Sequence, residues 1–562
     1  MFLRILTRVK NGTTYKYLKL VENVRRGGKV TQKVLLNFGN VNNWPLERLQ
    51  EFIYKLNEFY NLEIVPTAQD VPDPENVFEF GPHYALHQIW QKLELSESLR
   101  HHSEHNQAEI DLVAPVKTMV FNRLIAPRSK LQVHHWAKRQ AIPEVYPHRV
   151  PLQNYYRALD YLMDHKESLE KNIFWKVNDL FNIDLSLVFY DLTSSYFEGK
   201  HCEIAKHGYS RDHRPDRRQI EVALLVNRDG IPIAHEVWEG NIKDSETVAD
   251  ALQRLKKEFN IRRCVFVGDN GLVTPDNLEL LNNYGYEYIL SLKLRKDPRA
   301  SAILDSLSVE DYRHFEKLKD NLLFKELSPV AAGERIVACY NPIRAESSRS
   351  KRQQRLRESR DYLEGFKLPR KRGQHRDPEK IHRQIERWLS HKGTLQFFNY
   401  HYHKEGDFEY HLQEDVLARE EKCDGLCLLL AKSSKLSAED IATGYRTLTE
   451  VEDTFREIKS FLRIMPVYHY KEIRVRGHVF ICVLAYLLEK FLERELVTHG
   501  IEFSAKAALD ALSSLHVVTY EVMGHEVTKI CKADKEQQCL LKALGIKEVP
   551  RIYPFPIPKI RN

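Results

Sequence analysis

The sequence predicts an α/β fold, and three observations in residues 185–294 support this prediction. LSLVFYDLTSSYF is typical of a buried strand, and EVALLVNRDGIPIAHEVWEG is typical of a strand pair that turns around residues 227–230. Helical patterns in SETVADALQRLKKEF and PDNLELLNNYG alternate with the apolar strands RCVFVGD and YEYILSLKL. A mixed sheet with helices in this order is the layout of a ribonuclease-H-like core, although other α/β folds share it.

Composition places the chain among globular proteins. Its 562 residues suggest about three or four domains, or one domain with large insertions. With 43% hydrophobic and 29% charged residues, wholesale disorder, collagen and a membrane bundle are excluded. We expect no spanning helix and no signal peptide, because no apolar run is long enough. The eight cysteines form no C-x-x-C pair, so a reducing cytoplasm is the expected location.

The N-terminal part of the chain divides into two predicted regions. Residues 1–45 are expected to form a β-ribbon, with turns at Asn-Gly (residues 11–12) and Gly-Gly (residues 27–28). Its alternation of Lys and Arg with Tyr and β-branched residues would allow contact with DNA, but a plain antiparallel sheet is at least as consistent with it. Residues 46–184 are predicted to be helical.

The C-terminal part contains a concentrated basic segment. Within residues 295–430, which mix helical and strand patterns, residues 344–387 hold 15 Lys or Arg against 7 Asp or Glu, an excess that accounts for the net charge of +7. A phosphate backbone as partner and a solvated helical arm explain this segment equally well. Residues 431–500 continue with a long helix that Ser437 would cap, and residues 501–562 form a tail region.

Two aspartates follow apolar strands. Asp191 comes after Val-Phe-Tyr, and Asp269 comes after Val-Phe-Val-Gly. An aspartate beside a core is costly unless it is paired, hydrogen-bonded or bound to metal, and ligand sites form at strand ends in α/β sheets. The alternative is that each aspartate caps the next turn, for which Asp269-Asn-Gly is a good sequence. Two such residues at neighbouring strand ends favour a functional role.

Helical geometry selects a third acid in the helix after Ser437. At about 100° per residue, the stripe that faces the core contains Val451, Phe455, Ile458 and Leu462. The adjoining strip contains Tyr445, Leu448, Glu452, Arg456 and Lys459. Glu452 is therefore the acid that borders the sheet. The alternative is an exposed i,i+4 pair of Glu452 with Arg456, which would contribute only about 0.2–0.5 kcal/mol.

Three converging carboxylates would repel one another unless a cation lies between them. Oxygen ligands without Cys or His favour Mg²⁺ or Mn²⁺ over zinc. Two such ions would stabilise both the attacking and the leaving oxygen of a phosphodiester displacement. The acids Asp191, Asp269 and Glu452 would supply ligands of this kind.

Four sequence blocks, in order, resemble one family. They are FYDLTSSYFEG, RPDRRQIEVALLVNRDGIPIAHEVWEGNIKDSETV, FVGDNGLVT and a Y-x2-R-x3-E-x6-K helix at Tyr445, Leu448, Glu452 and Lys459. The chain resembles the DDE transposases of insertion sequences, specifically the insertion-sequence-four-like group. Leu448 stands where the family has Arg, and Arg446 or Arg456 could replace it.

The resemblance implies a DNA transposase with a ribonuclease-H-like core. Such an enzyme binds the terminal inverted repeats through its N-terminal regions, cuts them and joins them to target DNA. Asp191, Asp269 and Glu452 would be catalytic and would hold two Mg²⁺ or Mn²⁺ ions, and we expect Tyr445, Arg456 and Lys459 to contact DNA. A β-rich insertion at residues 295–430, a homodimer, a nucleoid-associated location and no nucleotide cofactor are also implied.

Two other classes of protein stay open from the sequence. One is a metal-dependent nuclease on the same core that cuts without joining, and the other is an inactive DNA-binding derivative. The spelling H-x-x-E-H at residues 101–105 matches an inverted zinc-protease motif, but its polar surroundings argue against a metal site.

Overall fold

The computed structural model describes most of the chain. The described residues are 1–26, 29–41, 44, 48, 51–52, 55, 59, 73–105, 110–145, 150–181, 184–198, 201–211, 214–318, 321–331, 333–367, 377–402, 408–448, 462, 464, 467, 469–522 and 525–553. They divide into two compact units, Met1–Glu75 with Tyr520–Val527 and Asn76–Thr519 with Thr528–Asn562.

The N-terminal unit contains the expected β-ribbon. Strands Phe2–Lys10 (β1), Thr13–Arg26 (β2) and Lys29–Asn40 (β3) form an antiparallel sheet in the order β1-β2-β3. The first turn is confirmed: Asn11 and Gly12 both have a positive φ, at 50° and 75°, as a two-residue hairpin turn requires. The predicted second turn, at residues 27–28, lies outside the described residues.

The predicted helical region follows strand Pro74–Glu79 (β4). Its helices are Gly81–Lys92 (α1), Leu95–His105 (α2), Val113–Ile125 (α3), Lys130–Trp136 (α4), Leu152–Asp164 (α5) and Lys166–Phe181 (α6). Apolar side chains at helical spacing bury one face of α5, namely Tyr155, Leu159 and Leu162. Residues between 42 and 72 lie mostly outside the described part of the chain.

A nine-stranded mixed sheet forms the centre of the second unit. Its strands are Leu187–Tyr196 (β5), Gln219–Asn227 (β6), Pro232–Glu239 (β7), Val265–Gly268 (β8), Glu287–Ser291 (β9), Glu316–Lys317 (β10), Leu323–Ala331 (β11), Glu334–Tyr340 (β12) and, after the hairpin Phe398–Tyr402 (β13) and Phe408–Leu412 (β14), Leu426–Lys432 (β15). The spatial order is β10-β11-β12-β15-β9-β8-β5-β6-β7. Strand β8 runs parallel to β5 and β9, and the other neighbours are antiparallel.

Helices cover the sheet between its strands. Val248–Gln253 (α7) and Pro275–Tyr284 (α8) connect β7, β8 and β9, and Pro298–Ser306 (α9) follows β9. Thr274 caps α8 by accepting a hydrogen bond from Asn277 N, and Gly285 ends it with a positive φ of 76°. The sequence prediction of alternating strands and helices in this region is therefore confirmed.

Residues 295–430 differ from the β-rich insertion that the resemblance implies. Strands β10, β11, β12 and β15 extend the central sheet beyond β9. Between β12 and β15, helices Pro342–Glu364 (α10), Pro378–Lys392 (α11) and Glu414–Lys422 (α12) contain more residues than the hairpin β13–β14. An apolar alternation identifies a strand but not the sheet that it joins, so the sequence could not exclude a separate β domain.

Residues 431–500 contain two helices, and residues 501–562, the expected tail region, contain two helices and two strands among the described residues. After a helix over residues 438–448 (α13), the chain forms helix Glu472–Thr498 (α14), helix Ala505–Leu512 (α15), strands His516–Val522 (β16) and His525–Ile530 (β17), and helix Lys535–Ala543 (α16). A small sheet has the order β17-β16-β4. Among the described residues no helix is long and apolar enough to cross a membrane.

The central sheet separates two cores. Alternate side chains such as Phe189, Val267 and Ile289 enter a larger core, which also contains apolar residues of α13 and α14. The intervening side chains, such as Tyr190 and Phe266, enter a smaller core with apolar residues of α7, α8 and α9. The face toward the larger core is the one that carries the candidate site.

Candidate active site

The structure brings Asp191 and Asp269 together on neighbouring parallel strands. The last register pair of β5 and β8 is Tyr190 with Gly268, so the two aspartates occupy the next position of each strand. They lie two residues beyond Phe189 and Val267, which both enter the larger core, so both aspartates point to this face. Both side chains are half-buried. Adjacent strands lie about 4.8 Å apart, so the two carboxylates are neighbours on the same face of the sheet.

The turn after β8 explains the local geometry of Asp269. Its Oδ1 accepts a hydrogen bond from Gly271 N at 2.8 Å, which caps the short 3₁₀ turn Asn270–Leu272. Asp269 therefore does cap the next turn, which is the alternative role that the sequence offered. A carboxylate has two oxygens and several lone pairs, so this one hydrogen bond leaves it able to bind a cation as well.

Asp244 is a further acid beside Asp269, and the sequence did not identify it as a site residue. It begins the 3₁₀ turn Asp244–Thr247 after β7. A Cβ atom added to Gly271 would lie 2.7 Å from Asp244 Oδ2 and 3.1 Å from Asp269 Oδ1, so both carboxylates surround this glycine. Two sequence signals could have indicated Asp244. It lies in the second sequence block, and a glycine stands two residues after Asp269.

Burial raises the pKa of the Asp269 carboxyl above its usual value, and the nearby charge of Asp244 raises it further. The hydrogen bond from Gly271 and the cations Arg211 and Lys293 oppose these effects without cancelling them. Burial is thus the main cause of the raised pKa, and the charge of Asp244 is a smaller one.

Arg211 connects the acids around the site. Its Nη2 donates to both oxygens of Asp244, at 3.0 and 2.9 Å, and its Nη1 donates to Glu221 Oε2 at 2.6 Å. Its backbone N donates to Ser194 Oγ at 2.9 Å, which fixes the loop against β5. Burial lowers the pKa of Arg211, but Glu221, Asp244 and Asp191 raise it above its usual value. Arg211 is thus a fixed cation at the edge of the acidic site.

Helix α13 crosses the same face of the sheet as the two aspartates. Its start is confirmed: Asp440 N donates to Ser437 Oγ at 3.0 Å, and Ser437 N donates to Asp440 Oδ2 at 2.9 Å. A Cβ atom on Gly444 would lie 3.3 Å from Ile289 Cδ1 and 3.8 Å from Leu187 Cδ1, so the helix passes directly over β9 and β5. Glu452, Arg456 and Lys459 follow this helix and lie outside the described residues.

Leu448 and Tyr445 differ in their surroundings. Leu448 is buried in the larger core. An arginine at that position would need a polar partner in the core, so the leucine fits its place. Tyr445 packs against the larger core, and it and Ser291 hydrogen-bond Cys427, whose pKa is raised by burial. Ser291 ends β9, so Tyr445 lies near the same end of the sheet as Asp269.

The described residues fit part of a divalent metal site. Among them no three acid, His or Cys side chains converge closely enough to hold a metal ion. The half-buried pair Asp191 and Asp269 offers only oxygen ligands, which Mg²⁺ and Mn²⁺ prefer.

The H-x-x-E-H spelling does not form a metal site in the structure. His102 is buried, and its two ring nitrogens lie 3.1 Å from Tyr161 Oη and 2.7 Å from Ser168 Oγ. His101 and His105 stack on each other with ring centroids 6.4 Å apart. The histidines therefore have structural contacts, in agreement with the sequence interpretation.

Comparison with known proteins identifies the family. Residues 3–63 match the IS1634 family transposase N-terminal domain, and residues 184–488 match the transposase DDE domain. The cryo-EM structure of a piggyBac transposase synaptic complex with hairpin DNA is similar over 77% of this chain and 79% of that chain, at 8% identity and a TM-score of 0.37. No curated protein matches the chain. Because the DDE-domain match spans more than half of the sequence, this chain belongs to the transposase DDE-domain family and is a DDE transposase of the insertion-sequence type.

Proposed function

We propose that this transposase binds the terminal inverted repeats of an insertion sequence, cleaves them and joins the freed ends to target DNA. We also propose that Asp191, Asp269 and Glu452 are its catalytic acids. The observation that carries the proposal is the side-by-side position of Asp191 and Asp269. Glu452 is assigned as the third acid from the helical pattern of the sequence and the family motif. The finer fold assignment, a ribonuclease-H-like core, is part of this proposal.

In this proposal the chain's own residues would hold a divalent metal. Bound Mg²⁺ or Mn²⁺ would stabilise the charge that develops on the attacking and leaving oxygens of the phosphodiester. Asp191 and Asp269 would hold it from two rigid strands, and Glu452 would approach from the helix above them. Arg211 holds Asp244 back by two hydrogen bonds, which keeps the neighbouring acid in a fixed place beside Asp269.

The remaining parts of the proposal concern DNA and assembly. Tyr445, Arg456 and Lys459 would contact DNA near the cut, because they share a helix face with Glu452. Residues 1–184 would bind the DNA ends. A homodimer across two paired ends and a nucleoid-associated location complete the expectation.

Substitution of the three acids tests the proposed function. Asp191→Asn, Asp269→Asn and Glu452→Gln should each reduce cleavage of terminal-repeat DNA in Mg²⁺ by at least about a hundredfold, with DNA binding unchanged. Asp250→Asn is the matched control, since this exposed acid lies on α7 and should keep normal cleavage. Near-normal cleavage by any of the first three variants would remove that residue from the site.

A joining assay separates the two enzymatic classes. The wild-type protein, given cut terminal-repeat DNA with a free 3′-hydroxyl and a target plasmid, should produce joined products. Cleavage without joining would instead identify a metal-dependent nuclease. The DNA that flanks the coding region offers an independent check, since inverted repeats on both sides are expected.

A further inference from the structure

A cavity of about 280 Å³ lies between α10 and α12, away from the acidic site. It is lined by Arg352, Gln353, Leu356, Arg357, Arg360, Leu417 and Glu421. The volume is far larger than one water molecule needs and close to the lower end of small-ligand sites, about 300 Å³. Three of the seven lining residues are arginines, so the cavity is suited to an anion.

Arg352 forms the buried part of this cavity. Its side chain is 7% exposed, and Nη1 and Nη2 each donate to one oxygen of Asp424 at 2.7 Å. Glu421 Oε1 lies 3.6 Å from Nη2. A guanidinium has five N–H donors, and Nε of Arg352 is buried without a hydrogen-bond partner among the described residues. Because this Nε is enclosed by protein, Arg352 contributes to the wall of the cavity without offering Nε as an open donor.

Arg357 and Arg360 supply the uncompensated charge. Both residues line the cavity from α10, and both are exposed. Neither forms a salt bridge with a described residue. Asp424 neutralises Arg352, and Glu421 can compensate only one of the other two cations, so the cavity keeps a positive charge. The whole helix carries seven Lys or Arg against four Asp or Glu.

We propose that this cavity binds a phosphate group, supplied either by the DNA backbone or by inorganic phosphate. Guanidinium groups match phosphate oxygens in a planar, bidentate manner, and three of them around one cavity would fix the group from several sides. The DNA source rests on the proposed function. If DNA supplies the phosphate, the basic segment contacts DNA at a defined site and does not act through its overall charge alone.

The test compares two double variants of the full-length protein with equal loss of charge. Arg357→Ala with Arg360→Ala removes the two cations at the cavity, and Lys351→Ala with Arg355→Ala removes two exposed cations of the same helix that do not line it. Affinity for a terminal-repeat duplex is measured by fluorescence anisotropy from 50 to 300 mM NaCl. Because each phosphate contact adds about 0.9 to the salt slope, the cavity variant should lose about one unit of slope and about tenfold in affinity at 0.1 M salt.

The second arm uses inorganic phosphate without DNA. Phosphate at 10 mM should raise the melting temperature of the wild-type and control proteins above that in chloride of equal ionic strength, but not that of the cavity variant, if the site accepts the free ion. If the cavity variant differs from the control variant only in DNA affinity, the site binds the DNA backbone. If the two differ only in stabilisation by phosphate, the site binds the free ion. Equal behaviour of both double variants in both arms would overturn the proposal.

The outcome is separable from that of the proposed function. At saturating DNA in low salt, the cavity variant should still cleave, because its acids are intact. Loss of the salt-slope difference with normal acid dependence of cleavage would refute only the cavity. Cleavage that survives Asp191→Asn would refute the proposed function and leave the phosphate result standing.

Discussion

Gly271 is the residue whose substitution tests the geometry of the acidic site most sharply. Its backbone φ is not in the left-handed region, so alanine causes no backbone strain there. The added methyl carbon would lie 2.7 Å from Asp244 Oδ2 and 3.1 Å from Asp269 Oδ1. Both distances are shorter than a normal carbon–oxygen contact, so Gly271→Ala must displace Asp244, and with it the contact to Arg211.

The expected effect is small on stability and large on activity. The two hydrogen bonds of Arg211 to Asp244 join side chains that are 26% and 27% exposed, so their loss should cost only about 1 kcal/mol. A displacement of about 1 Å near catalytic groups can reduce the rate by about a hundredfold. We therefore expect Gly271→Ala to fold normally and to lose about ten- to a hundredfold in kcat for cleavage, with unchanged DNA affinity.

The assay is single-turnover cleavage of terminal-repeat DNA in Mg²⁺, with thermal melting as the folding check. Asn270→Ala is the matched control, because it changes the exposed neighbouring residue without adding an atom beside the acids. Since Asp244 is the group that must move, the stability cost of Gly271→Ala should shrink in an Asp244→Ala background. Normal cleavage by Gly271→Ala would refute the close placement of these carboxylates.

Three further predictions concern stability. Glu170→Gln should destabilise the protein by about 3–5 kcal/mol, because it leaves Arg254, 2.7 Å from the Glu170 carboxylate, as a buried cation with a weakened partner. Gly477→Ala should cost about 1–3 kcal/mol, since its Cβ would meet Leu159 O at 2.7 Å where α14 packs on α5. Asp269→Asn should raise the melting temperature of the metal-free protein at pH 7, because it removes a half-buried charge that Asp244 repels, and should abolish stabilisation by Mn²⁺.

Urea unfolding checks the first two variants, and Glu167→Gln is the exposed control for Glu170. Burial alone would raise the pKa of Glu170, but Lys166, His235 and Arg254 hold it well below its usual range. A depressed carboxyl pKa stabilises the folded state above the unfolded pKa of about 4.3, and this stability is lost as the pH falls below it. The free energy of unfolding should therefore fall less steeply at acid pH in Glu170→Gln than in the wild-type protein. An unchanged pH dependence would contradict the lowered pKa of Glu170.

Local sequence signals predicted the features that depend on neighbouring residues. Asn11-Gly12 specifies its turn through two positive φ values, and Ser437 caps its helix through Asp440 three residues later. Asp191 and Asp269 were recognisable because each follows an apolar run. Asp269 comes directly after β8, but the expectation that Asp191 ends its strand was wrong, because Asp191 pairs with Leu224 in the middle of β5. These signals lie within a few residues of one another, so they need no knowledge of the tertiary fold.

Long-range contacts account for what the sequence did not reveal. Asp244 lies 25 positions before Asp269, and only the fold brings it to Gly271. Arg211 lies in a loop and Asp244 lies in the turn after β7, so their hydrogen bond also joins residues that are far apart in the sequence. The extension of the sheet by β10, β11, β12 and β15 depends on which edge these strands join, which an apolar pattern does not specify.

Anomalous X-ray scattering from Mn²⁺ in crystals of the wild-type protein with terminal-repeat DNA would test the metal assignment directly. We expect a manganese peak within about 2.0–2.3 Å of carboxylate oxygens of Asp191, Asp269 and Glu452. A peak bound elsewhere, or a Glu452 carboxylate in a separate region of the protein, would contradict the assignment of these three acids to one catalytic site.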